Sequence, residues 1–219
     1  MCGAFSILHP FKEVGRRFNA GYNLELNQSQ PRYNVRPSQP IPVVFNTNPE
    51  EISLAFWGVH PAYDKTKKLF FINARNDSLN KNTWHKMFLE QRCLIPADGF
   101  YEWEKGEGKT KIPYRFELKD QGVFAFAGLW QEETGLKGDT APHAVIITTT
   151  PNSLVAEVHD RMPAILKMEE ESTWLNPDTN PEELENLLKP ISSNSMKKFQ
   201  VSTLVNSASN DTKEIINEA

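Results

Sequence analysis

The second residue of this chain has the most unusual chemical position: the sequence begins MCGAFSIL, with Cys2 directly after the initiator methionine. Removal of Met1 leaves an α-amine and a thiol on adjacent carbons of one residue. Their ordinary pKa values, about 7.7–8.0 and about 8.5, keep both groups partly deprotonated near neutral pH. Gly3 has no Cβ and lets the terminus turn tightly, and the run AFSIL predicts a strand that anchors it. The sequence therefore predicts a terminal residue with two nucleophiles.

Five further side chains have the types that proton transfer and anion binding need. Asn73 and Arg75 close an apolar strand in INAR, Glu102 lies between two aromatic residues in PADGFYEWE, and HDRMP contains His159 and Arg161. Neighbouring rings would desolvate the Glu102 carboxyl, which raises a carboxyl pKa toward the range useful for proton exchange near neutrality. Each residue alone is also compatible with an ordinary solvent-facing position. Together with the terminal amine and thiol they form an active-site inventory.

The composition is that of a globular protein. Of the 219 residues, 39% are hydrophobic and 24% are charged, as is usual for globular domains. The longest apolar runs, VFAFAGLW and AVIITTT, are too short to cross a bilayer, and no signal-peptide pattern is present. The two cysteines lack metal-ligand spacing and argue against a disulfide framework or a zinc site. We expect an intracellular protein with no membrane association, no metal and no cofactor.

Charge is distributed unevenly along the chain. Residues 1–100 carry a net charge of +4 and residues 101–219 one of −8, which gives the overall −4. Much of the acidity lies in KMEEESTWLNPDTNPEELENLL, which predicts a pair of surface helices with a solvated face. A polyanionic partner is thus compatible with the sequence if its binding face comes mainly from the N-terminal half.

Short β-strands dominate the pattern. Aromatic and β-branched runs between Pro, Asn and Gly predict strands at AFSILH, PIPVVF, ISLAFWG, LFFINAR, CLIPADGFYEWE, IPYRFEL, VFAFAGLWQ, HAVIITTT and KKFQVST. Helical spacing predicts helices at FKEVGRRF, TWHKMFLEQR and NSLVAEV. No linker or repeat divides the chain, so we predict a single α+β domain over residues 1–219. It would be β-rich, with a curved, barrel-like, mainly antiparallel sheet and peripheral helices.

The motifs of the chain resemble those of the SRAP family, the SOS-response-associated-peptidase-like domain. In order, they are MCG, RYNVRPSQPIPVV, WGVHP, INARND, RCLIPADGFYEW, ITTTPN, VHDRMPAIL and VSTLVN. The combination of ADGFYEW, HDRMP and cysteine at position 2 is highly specific. The resemblance implies a β-rich monomer that crosslinks to abasic sites in single-stranded DNA and shields the lesion. It further implies a role in DNA repair and the SOS response, in the cytoplasm or at a bacterial nucleoid.

The implied reaction needs cysteine at the very terminus. The amine of Cys2 attacks the aldehyde of the opened abasic sugar, and loss of water gives a Schiff base. The adjacent thiolate then closes onto the imine carbon and forms a five-membered thiazolidine, which neither lysine nor an internal cysteine can do. This closure is intramolecular, and proximity can lower such barriers by roughly 7–11 kcal/mol. We expect lyase-type Schiff-base chemistry, with peptidase activity limited to removal of Met1.

The same resemblance implies roles for the other site residues. Glu102 would shuttle protons, His159 would protonate the sugar ring oxygen or the departing hydroxyl, and Asn73 would hold the amine or the sugar. Thr148 would orient the Glu102 carboxyl by a hydrogen bond. The residues expected to contact DNA through charge, stacking or backbone are Gly3, Pro37, Trp57, Tyr63, Arg75, Lys86, Trp103 and Arg161.

Several positions depart from the family pattern. Ala4 replaces a common arginine beside the nucleophile, and Arg36 replaces an alanine and restores positive charge nearby. Tyr63 stands where tryptophan is common, and Lys86 where a DNA-contacting arginine can occur, so the charge remains without the bidentate fork. Asp77 shortens the acidic side chain that usually follows the NAR stretch. These departures leave the implied chemistry intact and put the affinity for DNA in question.

Three alternatives stay open at this point. A class II glutamine amidotransferase or another N-terminal-nucleophile hydrolase also begins with Cys-Gly, but its glutamine-binding and oxyanion segments have no match here. A peptidase limited to self-processing is the second alternative. The third is a non-catalytic single-strand binder in which Cys2 is incidental. Replacing Cys2 with alanine distinguishes the binder, which would keep all its activity, from the crosslinker.

Overall fold

The secondary structure of the chain is given by a computed structural model that describes residues 2–22, 31–108, 110–120, 122–135 and 138–219. The strands are β1 Phe5–Ile7, β2 Gly21–Tyr22, β3 Arg32–Val35, β4 Pro40–Phe45, β5 Asn48–Trp57, β6 Asn73–Arg75, β7 Arg92–Ala97, β8 Gly99–Lys105, β9 Lys111–Leu118, β10 Phe124–Thr134, β11 Thr140–Thr149, β12 Met162–Pro163, β13 Ile165–Leu166 and β14 Met196–Gln200. The α-helices are α1 Phe11–Phe18, α2 His85–Glu90, α3 Ser153–Ala156, α4 Glu171–Leu175 and α5 Pro181–Leu187. Short 3-10 helices lie at Asn76–Ser78, Met168–Glu170, Ser193–Ser195, Thr203–Asn206 and Lys213–Ile216.

Five of the strands close into a barrel. β11, β10, β7, β4 and β5 pair in that order, and β5 returns to pair with β11. The closing pair is parallel, with Phe56 opposite His143, while the other four pairs are antiparallel. Short strands extend the wall, with β6 and β12 both beside β11. This closed, mainly antiparallel arrangement confirms the predicted β-rich, barrel-like α+β class.

A second sheet is antiparallel and has the order β14-β9-β8-β1-β3. Aromatic side chains join it to the barrel. The Phe5 ring centre lies 5.1 Å from that of Trp57 and 5.7 Å from that of Phe126, and Phe100 lies 6.3 Å from Phe126. Such edge-to-face pairs stabilise a core beyond the area they bury. The position of β1 relative to the barrel is therefore fixed by packing.

Most predicted elements are confirmed. The helix FKEVGRRF and the strand PIPVVF match α1 and β4, and the acidic segment forms α4 and α5. Asn152 caps α3, since its side-chain oxygen accepts from the backbone N–H groups of Leu154 and Val155. The predicted strand LFFINAR is only partly strand, because β6 covers Asn73–Arg75 and Phe71 makes a single bridge to Val59. In the described part of the chain, no helix has the length and apolar character that crossing a membrane requires.

The segment CLIPADGFYEWE is not one strand, as predicted, but two strands in different sheets. The chain passes from β7 in the barrel to β8 in the second sheet at Asp98, which is buried. The Asp98 carboxylate accepts from the hydroxyl of Ser6 at 2.6 Å and from the backbone N–H of Leu8. It also pairs with the Arg115 guanidinium at 3.1 Å. These long-range bonds stabilise the bend and tie β1 to β8, and nothing in the local sequence predicts them.

Gly99, next to this bend, allows the Arg115 guanidinium to lie against the backbone. A Cβ at position 99 would lie 2.5 Å from Arg115 Nη2 and 2.6 Å from its Cζ. The guanidinium cannot move aside, because it is buried and bonded to Asp98 and Ser6.

We expect Gly99→Ala to destabilise the protein by about 1–3 kcal/mol and to lower its Tm by roughly 3–10 °C. Thermal unfolding followed by circular dichroism would measure this. Gly21→Ala is the matched control, since a Cβ there meets its nearest atom at an ordinary 3.6 Å. An unchanged Tm for the Gly99 variant would show that Arg115 is free to move.

Candidate active site

The pairing of β1 with β8 brings Cys2 and Glu102 to one place. Phe5 lies opposite Phe100, and the backbone N–H of Tyr101 donates to the carbonyl of Ala4 at 3.0 Å. From this bond, the segment before β1 leads to Gly3 and Cys2, and β8 continues to Glu102. Both side chains are buried, with exposed fractions of 0% for Cys2 and 2% for Glu102. Local pairing thus places a thiol and a carboxyl in one enclosed environment.

Asn73 reaches the same place from the barrel. β6 runs parallel to β11, with Asn73 opposite Ile146, so that Asn73 lies at the barrel wall. Its Nδ2 donates to the carbonyl oxygen of Cys2 at 2.9 Å. Its Oδ1 is buried and has no hydrogen-bond partner within the described residues. A buried acceptor of this kind is costly unless a donor arrives, so Asn73 is suited to hold an amine or a hydroxyl at Cys2.

His159 follows α3 and faces Glu102. Its Nε2 lies 4.0 Å from Glu102 Oε2. The backbone N–H of Arg161 donates to His159 Nδ1 at 3.0 Å, so the neutral ring carries its proton on Nε2, toward the carboxyl. Asp160 Oδ1 also lies 3.0 Å from Nδ1 and would stabilise the ring once that nitrogen is protonated. The imidazole can therefore donate from Nε2 when neutral and take up a second proton on Nδ1.

Burial shifts the titration of all three acidic and basic groups. It raises the pKa of Glu102 to about 7, with a smaller contribution from the charge of Asp160. It lowers the pKa of His159. It raises the pKa of the Cys2 thiol well above its usual value, and the Glu102 charge adds to this shift. Near neutrality the site thus holds a neutral thiol, a neutral imidazole and a carboxyl that readily gains or loses a proton.

The two predicted arginines occupy different environments. Arg75 ends β6 and is exposed, with its guanidinium bonded to Asp77. Arg161 is buried and donates to the backbone carbonyl of Thr148 and to Asn76 Oδ1. The Thr148 hydroxyl lies 3.5 Å from the Ala74 carbonyl oxygen and 3.5 Å from Arg161 Nη2. In this arrangement Thr148 supports Arg161, and Arg75 is the arginine that a phosphate can reach.

The aromatic residues predicted to contact DNA differ in how exposed they are. Trp57 is fully buried, packs on Phe5 and donates its ring N–H to the Ile72 carbonyl, so it offers no face to a base. Trp103 is half-buried and donates to Asn206 Oδ1 at 2.6 Å. Tyr63 is 60% exposed, in the loop after β5. With no exposed surface, the Trp57 ring has no room for a base in this arrangement, and base stacking by Trp103 or Tyr63 stays a prediction.

The remaining predicted residues lie at or beyond the edge of this cluster. Gly3 and Pro37 are half-buried, and Lys86 is exposed on α2. Within the described residues, no hydrogen bond or ion pair joins Lys86 or Tyr63 to Cys2 or Glu102. Met1, whose removal is predicted above, lies outside the described residues.

Comparison with known proteins assigns the family. The profile of the SOS response associated peptidase (SRAP) family matches residues 1–208. The chain belongs to the SRAP family. It is 41% identical over 221 residues to the abasic site processing protein YoqW of Bacillus subtilis, covering 99% of each chain. It is 28% identical to the abasic site processing protein HMCES of Xenopus tropicalis, over 93% of this chain and 70% of that protein. A crystal structure of a protein from Bacteroides thetaiotaomicron superimposes with a TM-score of 0.89 at 27% identity and covers 100% of both chains.

Arg36, noted above as a departure from the family pattern, lies beside Trp103 in the structure. Its guanidinium lies over the Trp103 ring, 5.5 Å from the centroid, and donates to Asn34 Oδ1 and to the Val205 carbonyl. Its charge acts on the Cys2 thiol and partly offsets the effect of burial on the pKa of that group. Arg36 thus supplies positive charge near Cys2 in a chain that has Ala4.

Two features of this candidate site escaped sequence reasoning. The first is Asp160, whose carboxylate contacts His159 Nδ1. The only signal for it in the sequence is its position directly after His159 in HDRMP. The second is a cavity of about 630 Å³ beside Trp103, which is lined by Arg36, Trp103, Thr110, Lys111, Thr203 and Asn206. The residues that line this cavity come from four separate stretches of the chain, so no local sequence pattern predicts it.

Proposed function

We propose that, after loss of Met1, this SRAP protein captures the aldehyde of an abasic site in single-stranded DNA as a thiazolidine at Cys2. The observation that carries the proposal is that the Asn73 amide donates to the Cys2 carbonyl while the charge of the buried Glu102 carboxyl acts on the Cys2 thiol. The named relatives are abasic site processing proteins, and this role is transferred here as part of the proposal. The proposed partner is a DNA strand bound by a monomer in the cytoplasm or at the nucleoid.

The proposed reaction starts with the amine of Cys2. Its nitrogen attacks the aldehyde carbon of the opened sugar, and the resulting hydroxyl leaves as water after protonation from Glu102 or from His159 Nε2. Asn73 Oδ1, the buried acceptor, receives a hydrogen bond from the amine and holds its lone pair toward the aldehyde. Positioned proton transfer of this kind contributes about 10²–10⁴-fold to rate.

Ring closure completes the proposed reaction. The Cys2 sulfur adds to the imine carbon, its proton passes through the Glu102 carboxylate to the nitrogen, and the C=N bond becomes a C–N bond. Water is the sole product released in the two steps. The thiol can stay buried and protonated until the imine exists, because sulfur and nitrogen belong to the same residue and the closure is intramolecular. The reverse sequence, with the same groups, releases the DNA.

The test is incubation of the purified protein with a single strand that contains one abasic site. We expect a covalent adduct that survives denaturation, and an intact mass equal to chain plus strand minus Met1 and one water. Reduction of the aldehyde with borohydride before mixing should abolish the adduct, because no electrophile remains. An adduct that forms equally with the reduced strand, or on protein that retains Met1, contradicts the proposal.

A hydrolase of the N-terminal-nucleophile type would use the same terminus on an amide. Release of ammonia from glutamine, measured on the same preparation, separates that alternative from the crosslinker. We expect no release, since the proposal assigns the buried carboxyl and amide to a sugar aldehyde.

A further inference from the structure

We propose that Asp77 is a built-in competitor for DNA phosphate: its carboxylate occupies Arg75 in the free protein, and a phosphodiester of the bound strand displaces it. This inference rests on the proposed function, since it concerns how the strand reaches the same site. In this proposal Asp77 influences both the affinity of the protein for the strand and the salt dependence of that affinity.

The geometry is that of an oxyanion held by an arginine fork. Arg75 Nη2 lies 2.6 Å from Asp77 Oδ2, and Arg75 Nε lies 3.1 Å from Asp77 Oδ1. Arg161 Nη1 approaches the same Oδ2 at 3.7 Å. Two parallel N–H···O bonds to two oxygens are also the arrangement by which arginine binds a phosphate. The Asp77 carboxylate thus fills the donors that a phosphate would use.

The pair is accessible and can open. The exposed fractions of the side chains are 56% for Arg75 and 48% for Asp77. Exposed ion pairs contribute little to folding stability, so separating this one costs little. Asp77 lies in the short 3-10 helix Asn76–Ser78 that follows Arg75, and Ser78 Oγ donates to Asp77 Oδ1 at 3.1 Å. A strand can therefore reach Arg75 without disturbing the barrel.

Arg161 does not depend on Asp77 for its position. It is held by Asn76 Oδ1 at 2.9 Å and by the carbonyl of Thr148.

The hydrogen bond from Arg75 lowers the pKa of Asp77, which therefore stays ionised at neutral pH. The charge of Asp160 also acts on both arginines. The arginines next to the nucleophile are thus neutralised by carboxylates of the same chain before any DNA arrives.

The test is Asp77→Asn, measured as the affinity for an undamaged single strand by fluorescence anisotropy over a range of salt concentrations. We expect binding to tighten by roughly 3- to 10-fold at low salt, because the phosphate no longer competes with a carboxylate. The slope of log K against log salt should steepen by up to about 0.7, the value for one further phosphate charge neutralised on a single strand. Asp77→Ala should show the same gain if the carboxylate is what competes.

Asp120→Asn is the matched control for a simple change in net charge. Asp120 is an exposed aspartate in the turn after β9, and its Oδ1 accepts from the backbone N–H of Gly122 at 3.1 Å, which an amide oxygen can also do. We expect its affinity to match that of the unmodified protein. The double variant with Arg75→Ala and Asp77→Asn should bind no better than Arg75→Ala alone, because the proposed competition needs the arginine.

Three results would overturn the inference. Asp77→Asn could bind the strand as tightly as the unmodified protein or more weakly, which would make Asp77 an organiser of Arg75. The gain could persist without Arg75, or no variant could bind the strand at all. The adduct assay is scored separately: tighter binding without any adduct overturns the proposed crosslink and leaves the role of Asp77 standing. An adduct without tighter binding overturns only the role of Asp77.

Discussion

Cys2→Ala should form no adduct that survives denaturation, while its affinity for the strand stays within about twofold of that of the unmodified protein. The variant keeps the terminal amine, so an imine can still form, but it has no sulfur to close the ring. An imine hydrolyses, whereas the thiazolidine is retained through an intramolecular closure. The measurement is the fraction of strand shifted on a denaturing gel, together with anisotropy for the affinity.

Borohydride added during the reaction sharpens this test. It reduces the imine to a stable amine, so the alanine variant should give a covalent band with borohydride and none without it. Cys93→Ala is the matched control, because Cys93 is also buried and burial also raises the pKa of its thiol. That variant should crosslink normally. A denaturation-stable band from Cys2→Ala without reductant would remove sulfur from the mechanism.

Glu102→Gln should slow adduct formation by about 10²- to 10⁴-fold with little change in strand binding. Gln cannot exchange protons. The rate of this variant should therefore no longer depend on the ionisation of residue 102. Because the pKa of Glu102 is raised to about 7, the carboxylate that accepts the thiol proton is populated as pH rises through that value. Because His159 Nε2 supplies the proton for water loss once Glu102 is ionised, the single-turnover rate of the unmodified protein should rise through about pH 7. The glutamine variant should keep only the rise that belongs to the terminal amine, near pH 7.7–8.0.

The same substitution should stabilise the folded protein at alkaline pH. A carboxyl whose folded pKa is raised binds its proton more tightly in the folded state than in the unfolded one. Its ionisation then costs stability, which is lost progressively as pH rises from about 4.5 to 7. Glu102→Gln removes that cost, so we expect a gain of about 3 kcal/mol in the free energy of unfolding at pH 8 and none below pH 4.5. Denaturant unfolding at the two pH values measures it, and a variant that is less stable at pH 8 would contradict the burial argument.

Sequence reasoning selected residues that the structure brings together around Cys2, because their chemical types are rare in their contexts. A cysteine at position 2 and a carboxyl between Tyr101 and Trp103 stand out without any coordinates. What the sequence does not carry is which face of an element is covered by another element. Trp57 lies on a strand whose exposed and buried residues alternate, and only closure of the barrel decides that its ring points inward.

The bend at Asp98 and the partner of Arg75 show a second limit. The bonds of Asp98 to Ser6 and Leu8 span 92 and 90 residues, so no local window contains both ends. Asp77 lies two residues from Arg75, well within a local window, yet composition alone does not tell whether a neighbouring acid faces an arginine or water. The strands and helices follow from periodicity and from turn residues, whereas the pairing of charges follows from the three-dimensional arrangement.

Each sheet carries only half of the reactive set. Cys2 precedes β1 and Glu102 lies on β8 of the open sheet, whereas Asn73 and His159 approach from the barrel. The two halves meet through the amide contact to Cys2 and the imidazole facing Glu102. The aromatic packing around Phe5 therefore works as an alignment device. A copy in which this packing fails keeps the Cys2 thiol but loses the Asn73 amide and the Glu102 carboxyl beside it.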